Sequence, residues 1–147
     1  ISDLAARADA GPWESVWVYD HMHTAPLTSS EATHEAWTLM AALAASTERV
    51  RLGQMCTCMS YREPAYLAKV VATVDAISGG RVEMGIGAGW YEHEWRAYGY
   101  GFPGAGERLA RLREGVPVPL VLHGSSGVPD AGLVAAHGDA VHDAVFV

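Results

Sequence analysis

Ile77-Ser78-Gly79-Gly80-Arg81-Val82-Glu83-Met84-Gly85-Ile86-Gly87-Ala88-Gly89-Trp90 is the stretch whose reading decides the fold. Ser78-Gly79-Gly80 ends a helix, with glycine taking the left-handed position beyond the last turn. Arg81 to Ile86 then reads as a short buried strand, which opens into the glycine-bearing loop Gly87-Ala88-Gly89-Trp90. A helix that stops on glycine and feeds straight into an apolar strand is part of a βαβ unit.

Working outward, the same period recurs. Pro64 suits the first turn of a helix that runs to about Ile77, with Leu67, Val70, Val71 and Val74 inward. Val50 to Met55 precedes it as a strand, with a loop from Cys56 to Glu63. Glu31 to Thr47 reads as a helix whose apolar stripe is Trp37, Met40, Ala41 and Ala44, and Thr24 to Ser30 is a loop. Ser15 to Tyr19 is a strand ending at Asp20-His21-Met22-His23. Ile1 to Ala10 is a helix that Ser2 can cap, with Leu4, Ala5 and Ala8 on one face and Gly11-Pro12 as its stop. Downstream come a helix around Glu107 to Glu114, a fourth strand at Val118 to Leu122, a loop at His123-Gly124-Ser125-Ser126-Gly127, a helix to about His137 and an apolar end. Strands alternating with helices of this length predict right-handed βαβ units and a parallel sheet in one domain, residues 1–147.

Composition narrows the function. Of 147 residues, 50% are hydrophobic and 18% charged, which describes a globular chain with a real core. The formal net charge of −7 offers no basic stripe for nucleic acid or an anionic membrane. No apolar run approaches the ~20 residues of a membrane helix. Cys56 and Cys58 form a C-x-C pair too close for an ordinary disulfide framework, with no secretory signal before them, so a reducing cytoplasm is expected. The first residue is Ile1, consistent with an incomplete reading frame.

The stretches Ser15 to His21, Ala65 to Lys69 with Thr73-Val74-Asp75, Ile77 to Trp90, Glu92 to Gly99 and Gly106-Glu107-Arg108-Leu109 together resemble the luciferase-like monooxygenase family. The Gly-Ala-Gly-Trp form resembles its members that use the deazaflavin coenzyme F420. The resemblance covers about residues 1–115 in register. It implies a TIM-type (β/α) barrel with the cofactor across the C-terminal strand ends, where barrels carry their chemistry. A full barrel needs ~250 residues, so this chain is expected to form a partial (β/α) barrel, about half of one.

Past Gly115 the pattern departs from the family. Val116-Pro117 leads directly to Pro119-Leu120-Val121-Leu122-His123-Gly124-Ser125-Ser126-Gly127-Val128-Pro129-Asp130. This segment looks like a late strand of class II fructose-bisphosphate aldolases, in which the His is a zinc ligand and the Gly-Ser loop holds phosphate. A deletion or fusion junction near 115–118 is expected. Either origin gives a strand ending in a phosphate loop.

The candidate site residues follow. His changes charge near neutral pH and suits proton transfer, and at the end of a strand His21 would face the cofactor. The resemblance implies that His21 is the catalytic, proton-handling residue with Asp20 beside it. It also implies a bulge with a non-prolyl cis peptide at Met55, Cys56 and Thr57, whose backbone backs the ring. Gly87, Ala88, Gly89 and Trp90 would line the pocket, glycine letting backbone approach a flat ring. Some deazaflavin dehydrogenases of the family carry a carboxylate where Trp90 stands. Glu92 and Glu94 are alternatives to it, although carboxylates at a helix start are ordinarily dipole partners. Gly124, Ser125, Ser126 and Gly127 offer backbone N–H groups before a helix, an anion site. Trp13, Trp17, Trp37, Trp90 and Trp95 are expected in the core or an interface, with Trp17 in the core. Arg62, Lys69 and Arg81 are expected as solvated charges. No metal is expected, because neither His21 with His23 nor His123 alone supplies a ligand set.

The resulting expectation is a fragment of an oxidoreductase that transfers hydride between F420 and an organic substrate. FMN is the alternative cofactor, in a monooxygenase. A second expectation is a non-catalytic, truncated or chimeric half-barrel that associates with itself to cover its open edge. A third is an aldolase-like lyase.

Overall fold

The computed structural model describes residues 1–115 except 27, 28, 30 and 32. The expected strand at Val118 to Leu122, His123, the loop Gly124, Ser125, Ser126 and Gly127, the helix to His137 and the junction past Gly115 lie outside the described residues.

The described chain runs α1 (Ser2–Ala10), β1 (Ser15–Val18), α2 (Ala36–Ser46), β2 (Arg51–Cys58), a 3-10 turn (Met59–Tyr61), α3 (Pro64–Ser78), β3 (Val82–Gly87), α4 (Glu92–Ala97) and α5 (Ala105–Gly115). The three strands form one parallel sheet in the order β1-β2-β3. Ser15 pairs with Arg51 and Val18 with Gln54, while Leu52 pairs with Val82 and Cys58 with Gly87. The alternating α/β pattern and parallel sheet expected from the sequence are present.

One face of the sheet is covered by helices. Leu52 and Ile86 from the strands meet Trp37, Met40, Leu43 and Ala44 of α2 and Leu67 and Val74 of α3, with Val16, Val18, Val82 and Met84 packed against them. These are the stripes read from helical spacing. The other face carries the alternate residues, since side chains switch face at each strand position. There Trp17 lies over Gly53, where an added Cβ would fall 2.2 Å from the indole. No helix among the described residues covers this face, so Trp17 is 36% exposed and not in the core as expected. Trp13 and Trp90 are exposed too, whereas Trp37 and Trp95 are buried.

Several boundaries differ for local reasons. Helix α2 starts at Ala36 and not near Glu31, because Glu35 takes an extended conformation and caps it, accepting from the amides of Trp37 (3.3 Å) and Thr38 (2.6 Å). Ile1 and not Ser2 is the cap position of α1, without a side-chain bond, and Leu4 points to solvent. Strand β2 runs on to Cys58 through a register shift between Gln54 and Thr57, with a cis peptide at Met55-Cys56. The bulge and the non-prolyl cis bond were both expected there.

The N-terminal end of the sheet is fastened by charged groups turned inward. The Asp9 carboxylate accepts from the amides of Glu48 (2.9 Å), Arg49 (2.8 Å) and Val50 (2.9 Å). Arg81, expected as a solvated charge, instead donates to the carbonyls of Ala44 (3.1 Å), Thr47 (2.7 Å), Val50 (2.7 Å) and Ser78 (2.7 Å). It satisfies orphan carbonyls at the end of α2, as a cation there should.

Candidate functional site

At the opposite end, the segments following the three strands converge. After β1 come Asp20 to His23, after β2 the turn Met59–Tyr61 and Arg62, and after β3 Ala88 to Tyr91 leading into α4. A buried carboxylate in each of two segments ties them together.

The first is Asp20. Its Oδ2 accepts from the Cys58 amide (2.9 Å) and from Nη1 of Arg62 (2.6 Å), while its Oδ1 accepts from Nη2 of Arg62 (2.8 Å). Arg62 also pairs with Glu35, the cap of α2. Arg62, expected to be solvated, is thus a largely buried hub that joins the ends of β1 and β2 to α2. Both oxygens of Asp20 are engaged inside the fold, which suits it to holding the neighbouring His21 in place.

The second is Glu94, which is 0% exposed although it stands in the first turn of a six-residue helix. Its Oε1 accepts from the amides of Met22 and, at 2.8 Å, His23, and its Oε2 lies 2.8 Å from Nδ1 of His21 and 2.9 Å from the Tyr61 hydroxyl. Glu94 thereby binds the segments after β1 and β2 to α4. Burial, the nearby Cys58 and the hydrogen bond to Glu94 all push the Tyr61 hydroxyl above its ordinary value, so it remains a donor throughout the working pH range.

His21 stands in front of Glu94, walled by aromatic rings. Tyr19 lies at 5.4 Å between centroids, Trp90 at 5.7 Å edge-on and Tyr91 at 6.0 Å edge-on. His21 and Trp90, both expected at the site, are therefore neighbours. On the inner face Met55 is 62% exposed, and a Cβ on Gly87 would meet only the Cβ of Cys56, at 3.6 Å. These residues leave an open, largely apolar platform at the strand ends. Thr57 is fully buried and turned into the protein, while Cys56 is half-buried beside Gly85.

Gly89 is required for two separate reasons. It adopts φ +77°, and a Cβ there would fall 2.7 Å from both Cys58 Sγ and the Trp95 ring. Trp95 anchors a small cluster with Cys58 and Tyr61, flanked by Met22 and Phe102. Arg108 of α5 lies over Phe102 (4.1 Å) and Trp95 (5.9 Å) and donates to the Gly89 carbonyl at 3.1 Å. The Gly89 turn, and with it Trp90, is thus held from below.

The sequence names His21, Trp90, Gly87 and Gly89 as candidates, and the structure brings His21 and Trp90 together; the sequence does not reveal the contacts of Arg62, Tyr61, Glu94 and Arg108. Glu94 is read from sequence as a helix-start dipole partner or a substitute carboxylate. Nothing in its local spacing shows that it is buried against His21, 73 residues earlier in the chain. A groove of about 710 Å³ between α2 and α3 shares only Arg62 and Glu35 with this network and lies apart from His21. Among the described residues no group of three or more His, Cys, Asp or Glu is placed to hold a metal, and no helix is long and apolar enough to cross a membrane.

The family description matching residues 1–122 is that of the luciferase-like monooxygenases. The chain belongs to the luciferase-like monooxygenase family. An F420-dependent glucose-6-phosphate dehydrogenase of Amycolatopsis mediterranei is 36% identical over 131 residues, covering 87% of this chain. The chain spans 38% of that relative's length. Among solved structures, an F420-dependent secondary alcohol dehydrogenase in complex with an F420-acetone adduct superposes with a TM-score of 0.66 at 29% identity, over 79% of this chain and 35% of that one. A monooxygenase from Streptomyces bottropensis superposes with a TM-score of 0.65 at 32% identity, over 79% and 33%. Two of these three relatives are dehydrogenases described as F420-dependent, and the third is a monooxygenase.

Proposed function

We propose that this chain is the cofactor-facing part of a luciferase-like oxidoreductase that transfers hydride between coenzyme F420 and a small organic substrate. We further infer that its three strands are part of a TIM-type barrel. The observation that carries the reading is His21, held from behind by a buried carboxylate at the mouth of a parallel sheet, beside an open apolar platform. Met55 at 62% and Trp90 at 59% exposure offer flat apolar surface for a ring, and Gly87 leaves room for close approach. The residues present therefore fit a deazaflavin or flavin.

Met55, Cys56 and Thr57 would back the ring, and Gly87, Ala88, Gly89 and Trp90 would line its pocket. Gly124, Ser125, Ser126 and Gly127 would hold the cofactor's phosphate. F420, when bound, supplies the carbon that accepts or donates hydride, the hard part of the chemistry. His21 takes or returns the substrate's proton, the Asp20–Arg62 pair anchors the segment that carries it, and the rings of Tyr19, Trp90 and Tyr91 flank it. The uncovered inner face with Trp17 and Met55 is surface that further barrel strands, or a second copy of the chain, would bury.

The deciding experiment is titration of the purified chain with F420, followed by fluorescence, with FMN in parallel. Saturable micromolar binding of F420 alone supports the proposal and justifies a substrate screen. Binding of FMN alone keeps the oxidoreductase reading and changes the cofactor. A folded chain that binds neither refutes cofactor chemistry for it.

A further inference from the structure

We propose that Glu94, backed by Tyr61, is a positioning residue that fixes the tautomer of His21, keeping the proton on Nδ1 and leaving Nε2 as the free acceptor. The inference rests on the reading of His21 as the proton-handling group and says how that group is prepared.

The argument is an inventory of donors. A carboxylate accepts and does not donate. Three of the four groups on Glu94 can only give a hydrogen to it: the amides of Met22 and His23 on Oε1, and on Oε2 the Tyr61 hydroxyl, which is pushed above its ordinary value and stays protonated. The fourth is His21 Nδ1, 2.8 Å from Oε2, and it too must donate. A neutral imidazole has one N–H, so its Nε2 is then the lone-pair nitrogen. No partner for Nε2 is found among the described residues, and rings surround the imidazole instead.

The two amide bonds tie the turn after β1 to α4, and the Tyr61 hydroxyl ties in the segment after β2. The imidazole bond is needed for neither tie, and what it does is orient the ring. Tyr61 is itself fixed, stacked on Tyr100 at 5.1 Å, with its carbonyl accepting from the Tyr100 hydroxyl at 3.0 Å. A base poised in this way accepts a proton only at Nε2, as when the hydroxyl of a bound substrate loses its hydrogen. The positive charge then formed on the ring is countered by the buried carboxylate behind it.

The test is nitrogen-15 NMR of the imidazoles in the full chain without cofactor, at a pH where they are neutral, with His21→Asn to assign the signals. Expected is an Nδ1–H, Nε2-unprotonated pattern for His21. In Glu94→Gln the amide oxygen can still serve Met22 and His23, while its NH2 faces Nδ1. The proton should then move to Nε2, reversing the pattern. Any other state of His21 in the unaltered chain, or a pattern unchanged in Glu94→Gln, overturns the proposal. If Glu94→Gln does not fold, Glu94→Asp draws the carboxylate back from the ring and should abolish the tautomer preference, and retention of the preference would overturn the proposal. Because no cofactor is present, failure of F420 to bind would leave this result untouched, and the two readings fall separately.

Discussion

Arg62 grips Asp20 with both arms of its guanidinium, Nη1 at 2.6 Å from Oδ2 and Nη2 at 2.8 Å from Oδ1. The fork-on-fork geometry is one that lysine cannot reproduce. Asp20 is buried and Arg62 nearly so, and the Cys58 amide completes the carboxylate's shell. The pair joins the segments after β1 and β2 next to His21.

Removing the charge at position 20 should therefore destabilise the fold. Asp20→Asn leaves Arg62 buried with only Glu35 to answer it, and breaking a buried pair of this kind costs about 3 kcal/mol. Arg62→Lys keeps the charge and should cost about 1 kcal/mol, because one point contact replaces two. Urea denaturation at neutral pH measures both. If Asp20→Asn lies within about 0.5 kcal/mol of the parent, as an ordinary surface change would, the clamp contributes little.

Acid should weaken the fold over the range in which carboxylates of the unfolded chain take up protons while Asp9 and Glu35 of the folded chain still resist them. Amide donors from Glu48, Val50 and Arg49 lower Asp9 from 3.8 to about 2. Burial works against ionising Glu35, but hydrogen bonds from Thr38 and Arg62 outweigh it and lower that group from 4.5 to about 2 as well. Depressed values mean that the unfolded chain binds more protons than the folded one, so stability rises with pH through this window. Both contributions are complete above the ordinary values and fade as pH falls from about 4.5 to about 2. The urea midpoint should drop across that range, and Asp9→Asn should flatten the drop while lowering stability at neutral pH. A midpoint constant over the window would refute the assignment.

The fold was largely legible in the sequence because its signals are local. Gly79 after Ser78, Pro64 at a helix start and the stripes of α2 and α3 each report on a few neighbouring residues, and each is found where expected. The candidate site was legible only in part. His21 and Gly89 announce themselves as a His at a strand end and a glycine in a loop. Glu94 and Arg62 look like any helix-start acid or loop cation, and they become buried hubs only when distant segments meet. Arg81 and Trp17 show the same limit in the scaffold. Whether a charge is solvated, or a tryptophan covered, depends on what lies across the sheet, and no spacing within a strand reports that.

Thiol reactivity should be low at both cysteines. Burial, the main cause, pushes Cys58 up to about 12, and the Asp20 charge adds to it; burial raises Cys56 too. Since the thiolate is the reactive form, a disulfide reagent at pH 8 should modify neither in the native chain within minutes, and should count two thiols once urea is added. Rapid native labelling of Cys58 would show that the Trp95 cluster is open in solution.

Three glycine substitutions separate backbone conformation from space. Gly79 has φ +71° with nothing within 4 Å of an added Cβ, so Gly79→Ala should cost only the left-handed penalty, about 1 kcal/mol. Gly87→Ala would meet its nearest atom at 3.6 Å and should leave stability almost unchanged, yet its methyl group would stand on the inner platform and weaken any cofactor titration. Gly89 carries both burdens, with φ +77° and a Cβ placed 2.7 Å from Cys58 Sγ and from Trp95. Gly89→Ala should add an overpacking cost to the conformational one, about 2–4 kcal/mol together. It should also shift Trp90 away from His21, which tryptophan fluorescence would register. Equal losses for Gly79→Ala and Gly89→Ala would mean that the cluster under the Gly89 turn yields freely. In that case Arg108 and Trp95 could not be what holds Trp90 against the imidazole.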